Sequence, residues 1–120
     1  MADPHLAGQI EQAVPSEELV GLLEGEGLSP RLRNSTHYSG GAYVRVDLGS
    51  VTATLETTST DVLVRADAET LQDLSFFARL LSSRLTTAGQ RHRLELYERD
   101  HLVEYLHFGW PAPSELASPG

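Results

Sequence analysis

Five histidines are the residues of this chain most open to chemistry, and three of them, His92, His101 and His107, lie in its last third. His92 and His107 fall on two segments that read as neighbouring strands. Two imidazoles side by side there would hold a zinc ion if a third ligand joined them. Neither an HxH nor an HExxH spacing supplies one, so no metal site is expected. With Tyr105, the same pair outlines a different possibility: a small enzyme or ligand-binding protein whose pocket lies between sheet and helices, lined by His92, Tyr105 and His107. The run His37-Tyr38-Ser39-Gly40-Gly41 sets glycines beside hydroxyls, where backbone N–H groups could meet an anion. It lacks the Gly-x-Ser-x-Gly elbow and the strand–loop–helix order of known catalytic loops. Its glycines are expected to permit a tight turn before a strand at Tyr43.

Missing residue types exclude more than the present ones suggest. There is no cysteine, which removes disulfides, thiolate nucleophiles, thiolate zinc sites and iron–sulfur clusters together. There is no lysine either, since all nine basic residues are arginines, so Schiff-base chemistry and a P-loop lysine are excluded. The formal net charge is −8 and the pI is near 4.9. Such a surface repels phosphate backbones and anionic membranes, so neither nucleic acid nor membrane is an expected partner. A basic protein would be attracted. The carboxylates do not form a catalytic pair. Glu17 and Glu18 belong to a helix start. Glu24 and Glu26 stand near a helix end, where acid is mildly unfavourable, and could serve a basic partner. Glu95, Glu98 and Glu104 read as a solvent strip with Arg93 and Arg99 between them.

The elements that must position these groups are read from periodicity. At 120 residues the chain is expected to be one domain over residues 1–111, with a flexible tail at 112–120. No apolar run approaches the ~20 residues needed to span a bilayer. The start, Met1 to His5, lacks the basic and apolar regions of a signal peptide, so a cytoplasmic protein is expected. Asp3 to Glu24 reads as one helix kinked at Pro15, or two short ones, with Leu6, Ile10, Ala13 and Val14 on one face and Leu19, Leu22 and Leu23 on the next. Leu32 suits a short edge strand. Val44, Val46 and Leu48 alternate with polar residues, as do Val51, Ala53 and Leu55, around a Gly49-Ser50 turn. That register sets Leu48 against Val51, Val46 against Ala53 and Val44 against Leu55. Val62, Val64 and Ala66 continue the buried face opposite Thr57, Leu55 and Ala53, giving a three-stranded meander with one wet side.

A long helix is expected over Thr70–Ala88, capped by Asp67 or Thr70 and ended at Gly89. Two segments, Gln90–Glu98 and Leu102–Phe108, then form a hairpin around Arg99-Asp100. A simple two-residue loop would pair Leu94 with Tyr105 and set Glu95 against Glu104, which is unfavourable. A bulged connection would pair Leu94 with Leu106. Tyr97, Tyr105, Phe108 and Trp110 gather aromatic mass at this end, where Trp110 either closes the core or forms a contact hot spot.

The long helix carries apolar residues on two faces. Leu71, Leu74, Phe77, Ala78, Leu81 and Leu85 form one stripe. Phe76 and Leu80 lie roughly 120–160° away at ~100° per residue. Burying a Phe and a Leu is worth ~1.5–3 kcal/mol each, so their exposure in a monomer needs a reason. Either the N-terminal helix covers them or another molecule does.

This order of helix, three antiparallel strands, long helix and hairpin resembles the small acidic chaperones of type III secretion over roughly Ser16 to Trp110. The resemblance implies a dimer contact on or near the long helix, at Phe76 and Leu80. The third helix usual in that family is blocked here by Trp110-Pro111-Ala112-Pro113. Toxin-neutralising immunity proteins are similarly small, acidic and poor in cysteine. The expected molecule is therefore an α+β protein: one five-stranded antiparallel sheet with both helices on one face. It is expected to be a non-catalytic interaction module, a homodimer holding a protein partner, with no cofactor. The expected interface residues are Phe76, Leu80, Glu24, Glu26 and Trp110.

Overall fold

The structure, a computed structural model, describes residues 4–25, 27–34 and 42–110. The turn candidate at 37–41, Glu26 and the expected tail at 112–120 fall outside these residues. The chain order is β1 (His5–Ile10), α1 (Ser16–Leu23), β2 (Pro30–Asn34), β3 (Ala42–Leu48), β4 (Val51–Thr57), β5 (Val62–Asp67), α2 (Leu71–Thr87), β6 (His92–Glu98) and β7 (His101–Phe108). It is an α+β protein with a single seven-stranded antiparallel sheet, ordered β2-β3-β4-β5-β1-β6-β7. The expectation of five strands is thus corrected to seven, and the expected helix–strand order with it.

Two additions make the difference. β2 extends the meander through Leu32 opposite Val44. β1 replaces the first half of the expected N-terminal helix and enters the middle of the sheet, antiparallel to both β5 and β6. Leu6 and Ile10 are four residues apart, a spacing that puts them on one face of a helix or of a strand alike. As a strand, the segment supplies paired partners to the N–H and C=O groups that β5 and β6 would otherwise leave open inside the sheet. Gly8 makes the insertion possible. A Cβ there would lie 2.7 Å from the Arg93 carbonyl oxygen and 2.7 Å from Leu94 Cδ2.

Elsewhere the periodicity holds. β3 and β4 pair Leu48 with Val51, Val46 with Ala53 and Val44 with Leu55. β4 and β5 pair Leu55 with Val64 and Ala53 with Ala66. Thr70 caps α2, its hydroxyl oxygen accepting the Asp73 N–H at 3.1 Å. Ser50, in the β3–β4 turn, donates to Asp73 at 2.7 Å and accepts from the Glu69 N–H at 3.1 Å, tying that turn to the helix start. Gly89, with φ +73°, ends α2.

The β6–β7 hairpin combines the two connections the sequence left open. Arg99 and Asp100 both take positive φ, 53° and 66°, as a two-residue type I′ turn requires. A bulge opposite Leu96/Tyr97 then shifts the register, so Leu94 meets Leu106 and His92 meets Phe108. The shift separates the two carboxylates. Glu95 faces away from the helices, whereas Glu104 turns toward them and accepts hydrogen bonds from Ser75 at 2.7 Å and Arg79 at 2.8 Å.

Both helices cover one face. α1 lies over β2, β3 and β4, and α2 over β1, β4, β6 and β7. Between them and the sheet are Leu6, Ile10, Val44, Val46, Leu55, Leu74, Phe77, Leu81, Leu85 and Leu94, each almost inaccessible. The Arg84 guanidinium donates to the Leu22 carbonyl at 3.1 Å, satisfying an orphan group at the end of α1. No helix among the described residues is long and apolar enough to cross a membrane.

Candidate functional site

His92, the most chemically suggestive residue, is fully buried on the helix side of β6. Its Nδ1 lies 2.8 Å from the Gln90 carbonyl, which accepts only, so the proton is assigned to Nδ1. Nε2 is then a lone pair, and Ser82 Oγ donates to it at 2.8 Å. A hydroxyl, an imidazole and an orienting acceptor in line are the parts of a nucleophile–base pair. The surroundings do not complete one. Ser82 lies inside α2, where the backbone N–H groups are committed to the helix and none is free to stabilise an oxyanion. The Phe108 ring stacks over the imidazole, with centroids 6.4 Å apart. The pair therefore locks α2 to β6. No spacing rule links a helical serine to a strand histidine, so periodicity does not single out Ser82. The tight turn at Gly89 brings the two together.

Burial lowers the His92 pKa, with His107 adding to the effect and the Gln90 carbonyl opposing it. In an unfolded chain histidine titrates near ~6.5. Between the lowered folded value and that one, the unfolded state binds more protons. The His92 contribution is thus complete above about pH 6.5 and is lost as pH falls through the folded value. Melting temperature is expected to decline on acidification in this window, and His92→Phe to flatten the decline. NMR titration of the His92 ring protons should place its midpoint below the ~6.5 of an unfolded-chain histidine.

The expected pocket between sheet and helices does not form from His92, Tyr105 and His107. His107 pairs with Arg93 and Tyr105 with Glu95, positions on the bare face of the sheet, while His92 points under α2. Tyr105 and His107 stack on each other, centroids 5.1 Å apart. Partial burial raises the Tyr105 pKa, keeping its phenol protonated. Among the described residues, no group of three or more His, Cys, Asp or Glu side chains is placed to hold a metal ion.

The expected interface residues divide between the two sides. Phe76 is 59% exposed on the outward side of α2. Leu80, one turn on, is half-buried and packs against the core, close to Gly27 of the α1–β2 connection. The pair is therefore neither sealed nor fully open, since this chain covers Leu80 in part and leaves Phe76 bare. Glu24 is exposed at the end of α1, on the same side. Trp110 is half-buried on the opposite side of the sheet, with the Arg93 guanidinium 5.5 Å from its ring centroid. It does not share a surface with Phe76.

The outward strip of α2 is otherwise without charge. Gln72, Phe76, Ser83 and Thr87 are exposed along it. The flanking ions are engaged, Asp73 with Ser50 and Arg79 with Glu104. The bare sheet face instead carries a polar network. Arg93 donates to Gln9 at 3.1 Å and to Glu95 at 3.3 Å, and the Tyr97 hydroxyl donates to Glu95 at 3.1 Å. Gln9 donates in turn to Asp61. No protein-family model matches this chain, and no curated protein or solved structure is significantly similar to it.

Proposed function

We propose that the protein is a non-catalytic interaction module, an acidic chaperone-like or immunity-like protein that pairs with a second copy through the outward strip of α2. The exposure of Phe76 in the middle of that strip carries the reading. A large aromatic side chain left in water forgoes about 1.5–3 kcal/mol that contact with an apolar surface would recover. Leu80, recessed one turn away, offers such a surface. In an antiparallel pair of α2 helices, Phe76 of each copy would lie over Leu80 of the other, the self-complementary contact a two-fold axis demands. The strip itself carries no charge, so pairing along it would bury no unpaired ion. Glu17 and Glu18 of α1 and Glu24 at its C-cap are exposed and would favour a basic protein partner.

Sedimentation over a wide concentration range tests the pairing. The wild type is expected to dimerise, and Phe76→Asp to remain monomeric with unchanged far-ultraviolet circular dichroism. A wild type that stays monomeric at millimolar concentration would remove the proposal.

A further inference from the structure

On the bare face of the sheet the residues of adjacent strands stand in register, and one place among them is nearly empty. Arg65, Ala7, Glu95 and Tyr105 are successive partners from β5 to β7. Along β1, His5 and Gln9 lie on either side of Ala7 on the same face. A methyl group thus sits where every neighbour is long. The resulting depression has a volume of about 260 Å³ and is lined by His5, Leu6, Ala7, Arg65, Ala66 and Asp67. The Leu6 and Ala66 side chains are buried in the core, so these two offer only backbone.

Three features of the lining specify a ligand. Arg65 and Asp67 are exposed, and neither has an ion-pair or hydrogen-bond partner among the described residues. They project from one face of β5, about 6.6–6.8 Å apart along the strand, so a cation and an anion stand side by side unpaired. Beside them His5, the register partner of Asp67, stacks on Tyr97 with centroids 5.3 Å apart and planes 14° from parallel, which makes a flat wall. The volume lies just under the ~300–1,000 Å³ of ordinary ligand pockets, which limits the occupant to a small molecule.

We propose that this depression binds a free α-amino acid with an aromatic side chain. Arg65 takes the carboxylate through its two-pronged guanidinium. Asp67 takes the ammonium group. The ring lies over Ala7 against the His5–Tyr97 stack. A zwitterion has no net charge, so the acidity of the chain does not oppose its approach. The site is on the opposite side of the sheet from α2 and does not depend on the pairing proposed above.

Calorimetric titration with L-phenylalanine tests the site, with 3-phenylpropanoate and 2-phenylethylamine as its two halves. L-Phenylalanine is expected to bind saturably at one site and to raise the melting temperature with concentration. Each half is expected to bind at least about tenfold more weakly, since each leaves one charged partner unmatched. Ala7→Leu fills the depression and Arg65→Gln removes the guanidinium. Both are expected to weaken binding by at least about tenfold with the circular dichroism of the free protein unchanged. The proposal is overturned by no saturable binding of L-phenylalanine, by equal binding of 3-phenylpropanoate, or by folded variants that bind as the wild type does.

Discussion

Phe77→Ala is expected to cost about 3–5 kcal/mol of stability, and Phe76→Ala, its immediate neighbour, within about 0.5 kcal/mol of nothing. The two phenylalanines differ by one step around α2. Phe77 is fully buried and is among the largest inaccessible side chains of the molecule, whereas Phe76 is 59% exposed. Truncating Phe77 removes its transfer free energy and leaves a cavity that Leu74, Leu81 and the sheet below cannot close. A domain of this kind holds about 5–15 kcal/mol in total, so the loss consumes a large share. Denaturant unfolding of both variants at a concentration where the protein is monomeric makes the comparison clean. The same pair of proteins separates the two roles of the helix. In a dimer Phe76→Ala would weaken association while Phe77→Ala would weaken folding. If Phe76→Ala proved as costly as Phe77→Ala in the monomer, Phe76 would belong to the core and the pairing surface would lose its centre.

Local signals made the middle of the chain legible. In Val44 to Ala66 the alternation is strict, the turns are short, and a slip of one residue would turn every Val and Leu to water. The Thr70 cap and Gly89 stop likewise act within a turn of the helix they bound. The N-terminal segment offered no such local decision. Leu6 and Ile10 satisfy a helix as well as a strand, and Ala13 and Val14 extend the helical pattern by coincidence. What decides in favour of the strand is remote: the edge of β5, about sixty residues away, and the edge of β6, further still. The interior glycine was the available clue, because glycine weakens a helix by about 1 kcal/mol and marks a close approach in a strand.

The fate of the candidate residues follows from the same omission. With β1 absent from the sheet, no reading could place Ala7 between Arg65 and Glu95, or His5 beside Tyr97. His92 was visible as an interesting residue, but its role depends on Ser82 from the facing helix, which periodicity places only on the flank of the buried stripe. Phe76 was legible because exposure on a helix is a matter of angle alone. Trp110 was not, since the face it joins is fixed by the register of β6 and β7 and by the position of Arg93.

Gly8→Val should be the sharpest test of that central strand, with an expected loss of about 3 kcal/mol, the upper end for overpacking a close-packed site. The obstacle is partly backbone. The first added carbon would meet the Arg93 carbonyl oxygen as well as Leu94 Cδ2 at 2.7 Å, and the oxygen belongs to a ladder that cannot move without opening β1 from β6. Valine favours strands in general, so intrinsic propensity would predict a gain, and only the close approach predicts a loss. Gly21, on the exposed side of α1 with nothing within 4 Å of its added carbon, is the internal control. Gly21→Ala should be neutral or stabilising by up to about 1 kcal/mol. Hydrogen exchange then identifies which structure is lost. The amides of β1, paired on both sides, are expected to exchange only through global unfolding, in the slowest class of the protein. In a terminal helix docked on the surface they would exchange early, by fraying, and Gly8→Val would act as a mild change of propensity. Slow β1 amides together with a costly Gly8→Val would therefore place the first strand inside the sheet, where Ala7 and the depression above it require it to be.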